Sequence, residues 1–229
     1  ERDWSTKLDE IVKSAVSWDI GVIVGVPAWI QIILERIIDH YKLNTIHDIW
    51  PNLAVYVHSG VSIEPYTKSF EKLFGKKMIF HESYLASEGY IAFQKRINVK
   101  SLSLVYDNCL FFEFVPFDDQ NFDDEGNMID KPVALTLDQI EEGKEYALLL
   151  TTCAGAWRYL IGDTVRFTSL TPVKFRITGR TKHFINAFGE ELIIDNAEFA
   201  LQKACQGTGA TIADYTAAPV YMSSGEKAR

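Results

Sequence analysis

The sequence is short of cysteine, of long apolar runs and of positive charge, and each shortage excludes something. Among 229 residues there are three cysteines, Cys109, Cys153 and Cys205. They lie far apart without metal-ligand spacing, and an odd number does not make a disulfide framework, so a reduced, cytoplasmic setting is expected. Lys and Arg number 23 against 31 Asp and Glu, a net charge of −8. Nucleic acid is therefore not an expected partner, since its binders cluster Lys and Arg to neutralise phosphates. The most membrane-like stretch, Ile20 to Leu34, is bounded by Asp19 and Glu35 and interrupted by Pro27 and Gln31. It falls short of the ~20 apolar residues that span a bilayer, so no membrane partner is expected. The acidic, Trp-bearing start also lacks the basic opening of a signal peptide.

Familiar catalytic signatures are missing too. The five histidines are scattered, with no His-x-x-x-His pair for zinc. No Gly-x-Ser-x-Gly elbow supports a serine hydrolase. Gly75-Lys76 has the dipeptide of a phosphate-binding P-loop, but Phe70 stands where its first glycine belongs, and Gly207-Thr208-Gly209 is too short for a dinucleotide fingerprint. The acidic stretch Asp118 to Asp130 invites a calcium reading. An EF-hand loop needs Gly at position 6 and Glu at 12; starting at Asn121 puts Pro132 at position 12, and starting at Asp119 puts Asp124 where Gly is required. A solvated hairpin loop turning at Glu125-Gly126-Asn127 is expected instead.

What is present alternates strands and helices, then turns to β. Val22 to Val24 reads as a short buried strand. Ile30, Ile33, Leu34, Ile37, Ile38 and Tyr41 repeat at helical spacing, which predicts an amphipathic helix over Trp29 to Leu43 with Pro27 near its start. Leu53 to His58 reads as a strand, Tyr66 to Phe74 as a helix and Lys77 to Phe80 as a strand running into Tyr84-Leu85-Ala86-Ser87-Glu88-Gly89. Strand composition follows at Ser101 to Asp107, Leu110 to Pro116, Glu145 to Thr152, Thr164 to Ser169 and Val173 to Thr178, with a closing helix near Asp195 to Cys205.

Three segments carry candidate chemistry. In Tyr84 to Gly89, small residues let backbone approach a flat ligand, and Glu88 at a strand end can hold a cation; taken alone, Ser87 and Glu88 read first as ordinary turn or capping residues. In Gly155 to Asp163, a Gly162-Asp163 step between strands presents a carboxylate suited to a vicinal diol such as ribose, or Arg158 and Asp163 form a structural ion pair. In Gly179-Arg180-Thr181-Lys182, with Asn186, Gly189-Glu190-Glu191 and Glu198 beyond, a hinge could carry a cation toward phosphate, or the stretch is a surface turn.

Together and in this order the segments resemble the motifs of the adenylate-forming superfamily, and most closely those of the acyl-acid amido synthetases, the auxin-responsive family of plants and its bacterial relatives. Tyr84 to Glu88 is similar to the family's Tyr-Ser/Gly-Ser-Ser-Glu, with Leu85 and Ala86 substituted. Trp157, Arg158, Tyr159, Gly162 and Asp163 resemble Tyr-Arg-x-x-x-Gly-Asp, with Trp157 in place of the first Tyr. Gly179, Arg180 and Lys182 resemble the hinge pattern. Gly25-Val26-Pro27-Ala28-Trp29 and His58 to Tyr66 also look like this family.

The resemblance implies a mixed α/β fold: a βα-layered portion of the large ATP-binding domain, an antiparallel β portion, and the start of a small C-terminal domain. The implied division is 1–180 for the second half of the large domain and 181–229 for the hinge and the small domain's beginning. It implies ATP and Mg²⁺ as cofactors, a small carboxylic acid as substrate and an amine or amino acid as acceptor. Glu88 would hold Mg²⁺ and, with Arg180, serve catalysis. Ser59, Gly60, Val61, Ser83, Tyr84, Ala86, Ser87, Asp163 and Arg180 would line the ATP or AMP site, Asp163 accepting both ribose hydroxyls. Gly60, Ser62 and Ala86 would line the acyl pocket, and Lys182 would be the hinge between half-reactions. The family's Ser/Thr/Gly-rich phosphate loop and its adenylation lysine have no match here, so they are expected before residue 1 and after residue 229, and the chain reads as a fragment. Transfer to a thiol, as in acyl-CoA ligases, and a non-catalytic nucleotide- or acid-binding relative are the alternatives.

Overall fold

The structure, a computed structural model, describes residues 4–60, 62–97, 99–182, 185–187, 190–192, 194–210, 212 and 215, with the backbone alone at 185–187, 190–192, 194–196 and 198. Val61 and Gly189 lie outside the described residues, as do the side chains of Asn186, Glu190, Glu191 and Glu198. Contacts divide the chain into two compact units, one of Glu1–Ser83 with Leu201–Tyr215 and one centred on Tyr84–Ala200.

The first unit is built from βα steps. Helix α1 spans Trp4–Ser14, β1 Val22–Gly25, α2 Pro27–Tyr41, β2 Val55–His58 and α3 Thr67–Leu73, and β3 begins at Ile79. The strands are parallel, Val22 opposite Val55 and Val55 opposite Ile79. α2 starts at Pro27, two residues before the predicted start, because proline's fixed φ suits the first helical position and its missing N–H costs nothing there. It ends at Lys42, whose left-handed backbone lets the Leu43 N–H reach the Ile38 carbonyl. The helical stripe read from sequence buries Leu34 and Ile37 against Tyr56, Phe70 and Trp50. Burial of each such side chain stabilises by about 1.5–3 kcal/mol. The Trp50 indole N–H donates to the Ala15 carbonyl at 2.8 Å, so its polar atom is satisfied inside this core.

Two of the scattered histidines can be placed in this unit as well. The Gly75 N–H donates to His47 Nδ1 at 3.0 Å, leaving Nε2 as the donor to the Leu53 carbonyl at 2.9 Å. His47 thus ties the loop after α3 to the loop before β2. His58 closes β2, buried, with its ring against Tyr56.

The second unit is antiparallel. β3 runs to Ala86, and β4 (Gly89–Phe93), β5 (Leu102–Leu104), β6 (Leu110–Pro116), β7 (Glu145–Thr152), β8 (Tyr159–Leu170) and β9 (Val173–Arg180) follow, in the spatial order β4-β5-β9-β8-β7-β6. Alternating inward residues on these strands, Phe114, Leu148, Leu150, Val165, Phe167 and Phe175 among them, make one apolar cluster. A short antiparallel pair, β10 (Ile185–Ala187) with β11 (Glu190–Leu192), and helix α4 (Ile194–Thr208) complete the described elements. The mixed α/β expectation holds.

Several local expectations need correction. The Tyr84 segment is not a loop after a strand, because β3 continues through Ala86 and only Ser87 and Glu88 form the turn into β4. β8 begins at Tyr159, five residues before the predicted strand, so the Gly162-Asp163 step lies inside a strand rather than between two. β9 continues through Gly179 and Arg180, so these two are strand residues and not a turn. α1 and β4 were not predicted from the sequence, and β5 is shorter than the predicted strand.

Candidate active site

In the first unit, Ser59 follows the last residue of β2, and His58 lies opposite Glu82 in the parallel register. Ser59, Gly60 and Ser62 therefore sit at the carboxyl end of β2, beside buried Ser83 on β3. Crevices at the carboxyl ends of parallel strands are where open α/β sheets bind ligands. The Ser62 hydroxyl is engaged locally by the Glu64 carboxylate.

In the second unit, β3, β8 and β9 bring Tyr84, Asp163 and Arg180 together. Asp163 is directly opposite Arg180 in the β8–β9 register, and Arg180 Nε lies 3.1 Å from Asp163 Oδ1. The Tyr84 hydroxyl donates to the other oxygen, Oδ2, at 2.5 Å. Arg180 also donates from Nη2 to the Ile161 carbonyl at 3.2 Å, which fixes its guanidinium across the strand. The Asp163 side chain is 19% exposed and that of Arg180 48%, so the carboxylate is half-sheltered with its cation on the solvent side. Burial, then the charge of Asp163 and its hydrogen bond, pushes the Tyr84 hydroxyl far above its ordinary range, so it stays a neutral donor.

Local sequence explains the placement. Gly162 has φ +88, a conformation other residues resist, and this lets β8 deliver Asp163 beside β9. The β8–β9 register slips between Thr164 and Val165, directly after Asp163. Such bulges re-aim a strand's side chains and recur beside active sites. The alternative pairing of Arg158 with Asp163 is overturned: Arg158 Nε binds Glu113 Oε2 at 2.9 Å, and Asp163 takes Arg180.

Ala86 ends β3, and Ser87 and Glu88 form the turn into β4, Ser87 exposed and Ala86 and Glu88 half-buried. Among the described residues no group of three or more His, Cys, Asp or Glu could hold a metal ion. A lone carboxylate nevertheless fits Mg²⁺, which is commonly held by one or two carboxylates together with substrate phosphates rather than by an all-protein cage. Lys182 is exposed, just past β9. The Asp163–Arg180 pairing and the Tyr84 donor were missed from sequence; the only signal was that both motifs follow apolar strand-like runs. The three cysteines are free, Cys205 buried and the others exposed, and no helix among the described residues is long and apolar enough to cross a membrane.

Residues 103–180 match the model of the GH3 family central domain. Indole-3-acetic acid-amido synthetase GH3.2 of Arabidopsis thaliana is 29% identical over 177 residues, covering 72% of this chain and 31% of that protein. Jasmonoyl–L-amino acid synthetase GH3.5 of Oryza sativa subsp. japonica is 32% identical over 138 residues, 54% of this chain and 23% of that protein. The chain thus spans under a third of the length of these curated relatives. Among solved structures, GH3.15 acyl acid amido synthetase matches 88% of this chain and 43% of its own with a TM-score of 0.65 at 14% identity. 2-Hydroxyisobutyryl-CoA ligase, in the postadenylation state with R3-HIB-AMP, matches 88% of this chain and 41% of its own with a TM-score of 0.59 at 15% identity. The fold is shared with these two solved structures, and the sequence is similar to those of GH3 amido synthetases.

Proposed function

We propose that this chain is the nucleotide-binding part of an ATP-dependent ligase that adenylates a small carboxylic acid and passes the acyl group to an amine, such as an amino acid. The single observation that carries the reading is Asp163, which pairs with Arg180 inside the stretch that matches the GH3 central domain and accepts from Tyr84 on β3, before that stretch. A carboxylate can accept more than two hydrogen bonds, so both partners can stay in place while a vicinal diol binds. Arg180 keeps the carboxylate ionised and oriented, and its solvent-side face is available to a phosphate.

In this reading the acid's carboxylate attacks the α-phosphorus of ATP, forming the acyl–phosphate bond as the bond to pyrophosphate breaks. Asp163 holds the ribose, and Ser59, Gly60, Ser83 and Tyr84 flank the adenine. Gly60, Ser62 and Ala86 face the acyl group, their small size leaving room for it. Mg²⁺ held at Glu88 would supply positive charge where phosphate oxygens gain negative charge. The chain's −8 makes such local cations necessary. Within 181–229, read as the hinge and the beginning of a small domain, Lys182 is the pivot about which that domain turns between the half-reactions.

The acceptor is taken as an amine because the amido synthetases are the relatives with recognisable sequence similarity, whereas the CoA ligase shares only the fold. The test incubates the full-length protein with ATP, Mg²⁺, a panel of carboxylic acids and either an amino acid mixture or coenzyme A. Mass spectrometry should find an acid–amino acid amide and AMP. A thioester in its place would move the protein to the CoA ligases, and AMP without either product would point to a different acceptor. Nucleotide binding with no turnover of any acid would support the non-catalytic relative.

A further inference from the structure

The acidic loop Asp118 to Asp130 is not simply solvated. It turns where the sequence predicts, with Phe122 bridging Met128 across the hairpin. Asp123 Oδ1 accepts from the N–H groups of Glu125 and Asn127, at 3.0 and 2.7 Å, and holds the tip in shape. At that tip Gly126 is buried, with φ +73, and a Cβ built there would lie 1.7 Å from the Thr181 carbonyl oxygen and 3.3 Å from the Lys182 Cα. No side chain fits in that space, so the loop rests backbone-to-backbone on the residues just before and at Lys182.

Thr181 is held from its other side as well. It is 2% exposed, and its N–H donates to the Gly162 carbonyl at 2.8 Å. Gly162 immediately precedes Asp163. Thr181 is thus gripped between the loop tip and the strand that carries the proposed ribose-binding carboxylate. Hydrogen bonds from Asn127 hold the Asp123 carboxyl below its usual range, and the charge of Lys182 acts in the same direction, as expected of a loop lying close to that lysine.

We propose that the Asp118–Asp130 loop is the seat of the hinge, and that Gly126 is a positioning residue that immobilises Thr181 so that bending at Lys182 does not extend back into β9. The inference rests on the reading of Lys182 as the pivot of an adenylating ligase. A pivot with one fixed side returns the moving part to the same place on every turnover. Without the seat, bending spreads back into β9, and the second half-reaction loses its geometry before the first does.

The test is Gly126→Ala, read in two ways. Amide hydrogen exchange reports the seat directly: the Thr181 N–H and the 118–130 amides should exchange faster than in the parent. Kinetics of the full-length protein report the consequence. Acyl transfer should slow about tenfold or more while ATP–pyrophosphate exchange stays within about threefold, since small misplacements far from the chemistry are costly. Unchanged exchange at Thr181, or adenylation and transfer falling in equal proportion, would overturn the proposal. Should Gly126→Ala fail to fold, Asp123→Ala removes the tip's hydrogen bonds without adding bulk, and the same two readouts should move the same way. If the parent adenylates no acid, the ligase reading fails, and Thr181 exchange alone still decides whether the loop is a seat.

Discussion

The Tyr84 hydroxyl donates a 2.5 Å hydrogen bond to Asp163, joining β3 to the β8–β9 hairpin at the centre of the proposed nucleotide site. Because one partner is a carboxylate, removing the donor should matter more than for an ordinary hydrogen bond. Tyr84→Phe keeps the ring packed against Phe175 and removes only the hydroxyl. The expected loss is about 1–3 kcal/mol of folding stability, read as a lower urea midpoint at unchanged slope. An unchanged midpoint would mean that water replaces the hydroxyl at no cost.

The buried tyrosines set an alkaline limit. Burial, first of all, raises both Tyr84 and Tyr56 above their ordinary value of 10.0. Above that value the unfolded chain loses these protons while the folded chain keeps them, so the folded state binds more protons and stability falls as pH rises. Below it, the contribution is fully present. Stability should therefore drop from about pH 10 upward. In Tyr84→Phe the drop should be shallower, as checked by denaturant titration at pH 8 to 11. A variant with the same alkaline slope as the parent would show that other groups control it.

Glu88 and Asp163 should separate rate from affinity. Glu88→Gln is expected to slow adenylation by about tenfold or more at saturating ATP and to raise the Mg²⁺ needed, with ATP affinity little changed. Equal loss of affinity in Glu88→Gln and Asp163→Ala would place Glu88 against the nucleotide rather than the cation.

Glu113→Gln tests the corrected pairing. It removes the carboxylate charge that faces Arg158 at 2.9 Å and leaves Asp163 with Arg180. ATP affinity measured by calorimetry should match the parent. A loss as large as that of Asp163→Ala would show that Arg158, not Arg180, serves the nucleotide.

The sequence was most informative where local periodicity and burial coincide. The α2 stripe from Ile30 to Tyr41 and the runs at Leu110 to Pro116 and Glu145 to Thr152 are each one-sided or continuous apolar patterns, and each appears nearly as read. Motifs were legible by composition but not by placement. Glycine ordinarily punctuates a strand, so Gly162 and Gly179 read as strand ends. Cross-strand pairing overrides that preference, with Thr164 opposite Gly179 and Asp163 opposite Arg180. The choice of Arg180 over Arg158 as the partner of Asp163 depends on β8–β9 register, which no local pattern encodes. The Gly126 contact with Thr181 is likewise invisible in sequence, because it joins residues from distant parts of the chain.

Acid-dependent ATP–pyrophosphate exchange by the full-length protein, compared with its Asp163→Ala variant at subsaturating ATP, tests the central claim most directly. Exchange should require both a carboxylic acid and Mg²⁺, and the variant should lose about tenfold or more through weaker ATP binding, equivalent to about 1.4 kcal/mol. Folded parent protein that exchanges with no acid, or a variant that exchanges as fast as the parent, would contradict it.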